Sequence, residues 1–390
     1  MIWDKAWVFP FLGNVETLTT DTLLWRQAKL REAMEKANVD AALISLDAYK
    51  GGARWFFNDI AIGANDDGFA LLPPKGRTIE GGEASQVTPM VRNCGDALHL
   101  SLGEAAQFAY ASALEGVKRI GWTHPEQLPV AVARQIEQQL PQVEWVDITQ
   151  LYTQTRALRC EADLLHMNRS AVQHDRLMAV AQTAIRFGRN EQEIVNDLKI
   201  DAYRNGGAGF STFYFAGAAL VSAQPGERTS HNGVAYPGRT ICPGDQVAVR
   251  MQAIGLGGYY GDIARLFCCG VPTEETKRYW ATVRNVQALL ADKARPGATV
   301  AQLWPVYQEA LEKAGMARYR ADFINGVGYC PAEGPSGAYA NVELGEDMTI
   351  SIHPTVFDDA GFPYCCADLF RITPDGAMRM TQATQEIITL

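Results

Sequence analysis

No stretch of this chain reaches the ~18 consecutive apolar residues of a membrane helix, so a span is not expected. Positive charge is also short: 35 Lys and Arg stand against 44 Asp and Glu, a net charge of −9. Nucleic acid and anionic membrane both need clustered basic side chains, so neither is expected as a partner. The eight cysteines include no C-x-x-C pair, which removes the usual spacing of a structural zinc site. The opening M-I-W-D-K-A-W-V-F has no basic segment followed by a clean apolar one, so no signal peptide is expected and the cytoplasm is the default. Free, mostly buried thiols follow from that compartment.

The chain has 390 residues, 47% hydrophobic and 20% charged, which is a soluble globular composition long enough for two domains. Its first half alternates helix and strand. Asp21 to Ala37 carries Leu24, Ala28, Leu30 and Met34 at helical spacing, and Ala41 to Leu46 reads as a buried strand. Gly68 to Leu72, Arg119 to Trp122 and Val143 to Val146 read as further strands, with a helix over Val130 to Leu140. This predicts a small α/β domain over residues 1–155.

The pattern changes over residues 156–390. A long amphipathic helix is predicted from Ala162 to Phe187, and Asn190 with Glu193 forms a capping-box signature for a second. The unit then repeats. Thr273 opens a helix closed at Pro296 and Gly297, and Thr299 with Gln302 caps another, in which Pro305 is expected to delay or kink the start. Strands follow each helix pair, over Gln246 to Phe267 and Met348 to Thr373.

Within the first strand region, Met251 to Phe267 reads M-Q-A-I-G-L-G-G-Y-Y-G-D-I-A-R-L-F. This resembles the D-x-G-x-x-x-x-G-Y-x-x-D-I-x-R-T-F hairpin of the creatinase, prolidase and methionine aminopeptidase family. The A-D-L-L-H-M-N-R-S-A helix, Gly207–Ala208, His231, Gly244–Asp245, Pro296–Gly297 and T-P-D-G at Thr373 follow in the family's order. The resemblance implies an α/β (α+β) fold: a creatinase-like N-terminal domain, then a pseudo-symmetric "pita-bread" domain. It also implies a homodimer in which a loop from the other subunit completes the pocket, and residues 51–59, G-G-A-R-W-F-F-N-D, are aromatic enough to line such an interface.

The family usually holds two metal ions with Asp, Asp, His, Glu and Glu. The corresponding positions here are Met251, Asp262, Tyr329, His353 and Ala367, so only Asp262 keeps its residue type. Two hard cations need several carboxylates as ligands and as counter-charge, so a dinuclear site is not expected. A single zinc on Asp262 and His353 would lack a third protein ligand. No cofactor is expected. Creatinase is the family's metal-free member, and its acid/base histidine corresponds to His231 in S-H-N-G-V, followed by Asn232. Its other groups do not carry over, falling at Ala264, His353, Tyr329 and Ala367. Its carboxylate-binding arginine falls near Asp67, which with Asp66 would favour an amine or other cation, or would simply form a turn.

Along M-T-I-S-I-H-P-T-V-F, Met348, Ile350 and Ile352 form one strand face, and Thr349, Ser351 and His353 the other, polar one. Cys365 shares a strand face with Ala367, so it too is expected at the cavity. Cys365 or Cys330 would become a nucleophile only if its pKa were lowered. Arg265, opposite Asp262 on the hairpin, is expected to support the sheet.

These readings combine into a metal-independent, creatinase-like enzyme acting on a small nitrogen-containing substrate, most directly by C–N hydrolysis. His231 moves the proton, Asp262 and His353 orient substrate or water, and Tyr329 donates to developing charge. Ser351, Asn232, Asp67, Cys365 and Met251 line the substrate. The alternatives are a lyase or isomerase step in the same pocket, a non-catalytic binding module, and a metal-dependent Xaa-Pro peptidase. The missing ligands weigh against the last.

Overall fold

A computed structural model describes residues 20–45, 69–75, 79–82, 98–101, 114–125, 134, 137–138, 140–207, 219–222, 240–255, 258–330 and 333–390. The chain divides into two compact units after Arg156. In the first, α1 (Thr20–Lys36) precedes β1 (Ala41–Ser45), β2 (Phe69–Leu72), β3 (Ile79–Gly82), β4 (Leu98–Ser101), β5 (Arg119–Trp122), β6 (Glu144–Asp147) and α2 (Thr149–Ala157). The six strands form one mixed sheet in the order β4-β3-β2-β1-β5-β6. The β1–β5, β5–β6 and β3–β4 pairs are parallel, as alternation of helix and strand predicts. The buried stripe of α1 differs from the expected one. Leu23, Gln27, Leu30 and Met34 face inward, whereas Leu24 and Ala28 are exposed. Leu30 and Met34 set the phase, and Ala28 lies about 200° from Leu30 around a helix of 3.6 residues per turn. The helix expected over Val130 to Leu140 lies largely outside the described residues.

The second unit holds the duplicated plan. Helices α3 (Glu161–Ala184) and α4 (Glu191–Arg204) precede β7 (Ala219–Ser222), β8 (Gln246–Met251) and β9 (Ile263–Cys268). Helices α5 (Glu274–Lys293) and α6 (Val300–Lys313) precede β10 (Ile324–Gly326), β11 (Thr349–Ile352), β12 (Thr355–Phe357), β13 (Pro363–Cys365), β14 (Asp368–Thr373) and β15 (Gly376–Arg379), with β16 (Ile388–Thr389) closing the chain. The predicted capping boxes form at Asn190/Glu193 and at Thr299/Gln302. Helix α6 starts at Val300 despite Pro305, because the box already satisfies its first turn.

Two four-stranded sheets result, β16-β9-β8-β7 and β10-β11-β14-β15, and β12 pairs with β13. An antiparallel bridge between Ala264 and Ala367 links the first sheet to the segment entering β14. The α3/α4 helices bury Leu177, Met178, Ile194 and Leu198 with Val247, Val249 and Ile263 of the first sheet. The α5/α6 helices bury Val283, Leu290, Leu303 and Tyr307 with Ile350, Ile352 and Phe370. Gly261 allows the hairpin to approach α3, since a Cβ there would lie 2.5 Å from the His174 ring.

Arg265 ties the two halves together. Fully buried, it donates through Nη2 to Asp368 Oδ1 (2.7 Å) and to the Ala383 carbonyl (2.9 Å), and through Nη1 to the Ala367 carbonyl (2.9 Å). Thr381 and Gln385 also donate to Asp368. Removing one member of a buried pair strands the other, so Arg265→Met should lower stability by about 3–5 kcal/mol. Urea unfolding followed by circular dichroism measures this; a loss below about 1 kcal/mol would contradict the supporting role.

Candidate functional site

Strand β8 alternates regularly: Val247, Val249 and Met251 are buried among the α3/α4 core residues, while Gln246, Ala248 and Arg250 face the other way. Register then carries that second face across the hairpin, since Arg250 pairs with Ala264 and Gln252 reaches Asp262. Strand β11 supplies the facing wall. As the sequence pattern requires, Met348, Ile350 and Ile352 enter the core and Thr349, Ser351 and His353 take the opposite side.

Asp262 is the centre of the polar cluster and has no solvent exposure. Arg250 grips it with both arms of the guanidinium, Nε to Oδ1 at 3.1 Å and Nη2 to Oδ2 at 2.7 Å. Ser351 Oγ donates to Oδ2 at 2.6 Å, and Gln252 Nε2 adds a longer contact of 3.4 Å. Burial alone would raise the carboxyl pKa, but the charge and hydrogen bonds of Arg250, aided by Ser351, hold it below the ordinary carboxylate value. Asp262 is therefore an anion whose accepting capacity is largely used.

His353 lies beside this pair, fully buried. Asn325 donates through Nδ2 to the Gly326 carbonyl (3.0 Å), which turns its Oδ1 toward the imidazole. The 2.6 Å contact from that oxygen to His353 Nε2 therefore places the ring proton on Nε2, because a carboxamide oxygen only accepts. Among the described residues, no group meets hydrogen-bond geometry at His353 Nδ1. Burial, reinforced by the charge of Arg250, lowers the His353 pKa to about 4, so the ring is neutral at physiological pH.

The other expected residues fall in different places. Met251 does not line the cluster; it is fully buried in the α3/α4 core because the pleat turns it away from Arg250. Tyr329 donates to Asp163 Oδ1 at 3.0 Å, beside Tyr259, which donates to the same oxygen at 2.5 Å. Arg159 stacks over the Tyr329 ring at 4.7 Å and pairs with Glu333. Cys365 is partly exposed, with its Sγ 4.0 Å from the His353 carbonyl. Burial raises its thiol pKa against the pull of Arg250, which is the wrong direction for a nucleophile. Cys330 is buried. His231, Asn232, Asp66 and Asp67 lie outside the described residues.

Arg250, Gln252 and Asn325 are the site residues that the sequence reading passed over. The signal was present: Arg250 is the one charged residue of Q-V-A-V-R-M, next to a position compared with a lost aspartate. A cavity of about 370 Å³ elsewhere, lined by Gln182, Ile185, Phe187, Cys269 and Leu390 among others, brings no acidic or imidazole side chain.

Two family descriptions match the chain: Metallopeptidase family M24 over residues 166–380, and the Creatinase/Prolidase N-terminal domain over residues 26–158. The chain belongs to metallopeptidase family M24. Its architecture is the expected one, a creatinase/prolidase-type N-terminal domain followed by the M24 pita-bread domain. The Xaa-Pro dipeptidase of Pyrococcus horikoshii is 25% identical over 283 residues, 72% of this chain and 77% of that protein. The "Probable dipeptidase PepE" of Mycobacterium tuberculosis is 24% identical over 247 residues, 62% of this chain; the match spans only 63% of that relative's length. The structure of the Pyrococcus horikoshii prolidase superposes with a TM-score of 0.75 at 20% identity, covering 93% of this chain and 99% of that one. Dipeptidase PepE from Mycobacterium ulcerans gives 0.77 at 22% identity, covering 95% and 98%.

These relatives correct the functional expectation. The metal-independent, creatinase-like hydrolase had been placed ahead of the Xaa-Pro peptidase, yet the relatives are named dipeptidases, Xaa-Pro dipeptidases and prolidases. The M24 peptidase reading is the better supported. The metal pair that the family name implies is a separate matter, and the described residues do not fit it. Asp262 already holds a guanidinium, Met251 sits in the core, and Ala367 offers a methyl group. Among the described residues, no group of three or more His, Cys, Asp or Glu is placed to hold a metal ion. Nor is any described helix long and apolar enough to cross a membrane.

The neutral, buried His353 makes stability depend on pH. Its pKa of about 4 in the fold lies below the about 6.5 of an unfolded histidine, so protons favour the unfolded chain. The contribution, about 3 kcal/mol, is fully present above pH 6.5 and is lost as pH falls toward 4. Asp262, held low, adds its own loss only below the carboxylate range. His353→Gln should flatten the pH 6.5-to-4 slope of urea midpoints; an unchanged slope would refute this.

Proposed function

We propose that the chain is a peptidase-type hydrolase taking a small, dipeptide-sized substrate with an amide bond. One observation carries the reading: the cluster of Arg250, Asp262, Gln252, Ser351 and His353 is polar but electrically balanced, and Arg250 and Gln252 bring it to the surface as its wall. The guanidinium cancels the carboxylate and the imidazole is neutral, so the wall suits an uncharged, dipolar group better than a cation or an anion. An amide is such a group, and the relatives named dipeptidase and Xaa-Pro dipeptidase support it. The working assembly is a cytoplasmic homodimer, as the family resemblance suggests.

A second reading has its own support. Asp262 is occupied by Arg250, Gln252 and Ser351, which leaves little of it to activate water. On this reading the protein binds the amide compound without turning it over.

Purified protein incubated with Xaa-Pro and other dipeptides, with and without added Mn²⁺, separates the two. Release of free amino acids from at least one dipeptide is expected. Saturable binding with no release would replace hydrolysis by the binding reading, and absence of both would sink the amide substrate altogether. Light scattering that gives the mass of a single chain would remove the homodimer.

A further inference from the structure

Where α3 meets the hairpin of β8 and β9, it turns a polar face toward it. Ser170, Gln173 and His174 lie at i, i+3 and i+4 on that face, and all three are buried. Ser170 Oγ donates to the Tyr259 carbonyl (3.1 Å), and Gln173 Nε2 donates to the Ala202 carbonyl (3.2 Å). His174 touches both arms of the hairpin. Its Nδ1 lies 2.7 Å from the Ser170 carbonyl, which only accepts, so that nitrogen carries the proton and Nε2 keeps its lone pair. Nε2 accepts from the Ala253 amide at 3.3 Å on the first arm. Burial lowers the His174 pKa, against the Ser170 carbonyl and the charges of Asp262 on the hairpin and Asp175 on α3, so the ring is neutral, as that bond requires. On the second arm the ring lies against Gly261 and leaves no room for a Cβ there.

The register makes this contact consequential. The ladder pairs Met251 with Ile263, so Gln252 stands opposite Asp262 and Ala253 opposite Gly261. In the hydrogen-bonded pairs of such a ladder the two residues exchange both backbone bonds. Gly261 does donate to the Ala253 carbonyl (3.0 Å), but the Ala253 amide turns to His174, so the ring supplies the second bond. The two residues it holds adjoin Gln252 and Asp262 in the chain. We propose that His174 is a positioning residue of the site, setting the separation of the hairpin arms at which Gln252 meets Asp262 and the Arg250 fork closes on it. A buried polar side chain costs stability unless it is bonded, and once bonded it specifies one arrangement where an apolar one would tolerate several. Its effect on a ligand acts through Gln252 and Asp262 and rests on the dipeptide-sized substrate proposed above. Its effect on the hairpin does not.

Amide hydrogen exchange of the full-length protein, read by mass spectrometry over residues 250–255 and 258–264, tests the hairpin half without a ligand. His174→Leu fills the space but offers no acceptor, and should raise exchange there at least about tenfold while β11 and β14 exchange as in wild type. His174→Gln, whose carboxamide oxygen can accept the Ala253 N–H, should restore most of the protection. KM, or Kd where there is no turnover, for alanylalanine and alanylproline tests the site half. It should be about tenfold higher in His174→Leu and within about threefold of wild type in His174→Gln, because small misplacements of a site are costly. Local exchange that is unchanged, or that rises equally throughout the chain, overturns the positioning role, as does a His174→Gln no better than His174→Leu. Faster local exchange with unchanged KM overturns the bearing of His174 on the site. Should His174→Leu not fold, Gly261→Ala, which presses on the ring from the second arm, is read in its place. Wild-type protein that binds neither dipeptide overturns the substrate reading, and the exchange measurement still decides the hairpin half.

Discussion

Asp262 has no exposure to solvent, and a carboxylate in that position stays ionised only if a cation meets it at contact distance. Arg250 does so with two parallel hydrogen bonds, the strongest arrangement open to a guanidinium. The surrounding protonation states follow from this pair. Asp262 is charged, so Ser351 and Gln252 turn their donors toward it. The positive charge of Arg250 adds to burial in keeping His353 neutral, and burial keeps Cys365 a thiol even though Arg250 pulls the other way.

The pair also explains how the fold persists at a site that relatives of the family build around metal. Two divalent ions bring about four positive charges and need several carboxylates around them. One guanidinium brings a single charge and is satisfied by one carboxylate. Met251, Tyr329, His353 and Ala367 stand where the family resemblance would put ligands, and Arg250 supplies the one positive charge that the remaining carboxylate needs. With Asp262 left and no cation, the hairpin would bury a bare charge. With Arg250, the cluster is neutral and can sit inside the sheet.

Much of the fold was legible because it rests on local rules. Capping residues at Asn190, Thr273 and Thr299 start helices where expected, and the two-residue period of β11 separates its apolar from its polar face. The site was legible in part. Ser351, Asp262 and His353 do come together, because two of them lie on one strand face and the third closes the facing hairpin. Met251 shows where the reading failed. Spacing within a motif locates a residue along the chain, but the pleat decides which face it takes, and a shift of one position exchanges core for site. Arg250, one residue earlier, stands on the site face. A rule that buried carboxylates require partners would have led from Asp262 to Arg250 without any motif. The phase of α1 was missed for a related reason: apolar residue type was counted where Gln27 and Arg26 are in fact buried.

The cluster is flanked by a second network carried by the same segments. Tyr329 and Tyr259 both donate to Asp163 in the first turn of α3, and Asp163 also accepts from the Cys160 backbone amide. Arg159 joins Glu333, Thr349 and the Val327 carbonyl. These contacts pin Val327, Tyr329 and Glu333 to the start of α3 and its approach, and Thr349 of β11 joins them. Asn325 belongs to β10, so the same contacts fix the oxygen that sets the His353 tautomer. Gly328 is part of this arrangement, since any side chain there would run into the Arg159 guanidinium. Every group of the cluster is thus carried by a strand, or by a hairpin paired to one, and Asp262 and Asn325 each hold more than one of its hydrogen bonds.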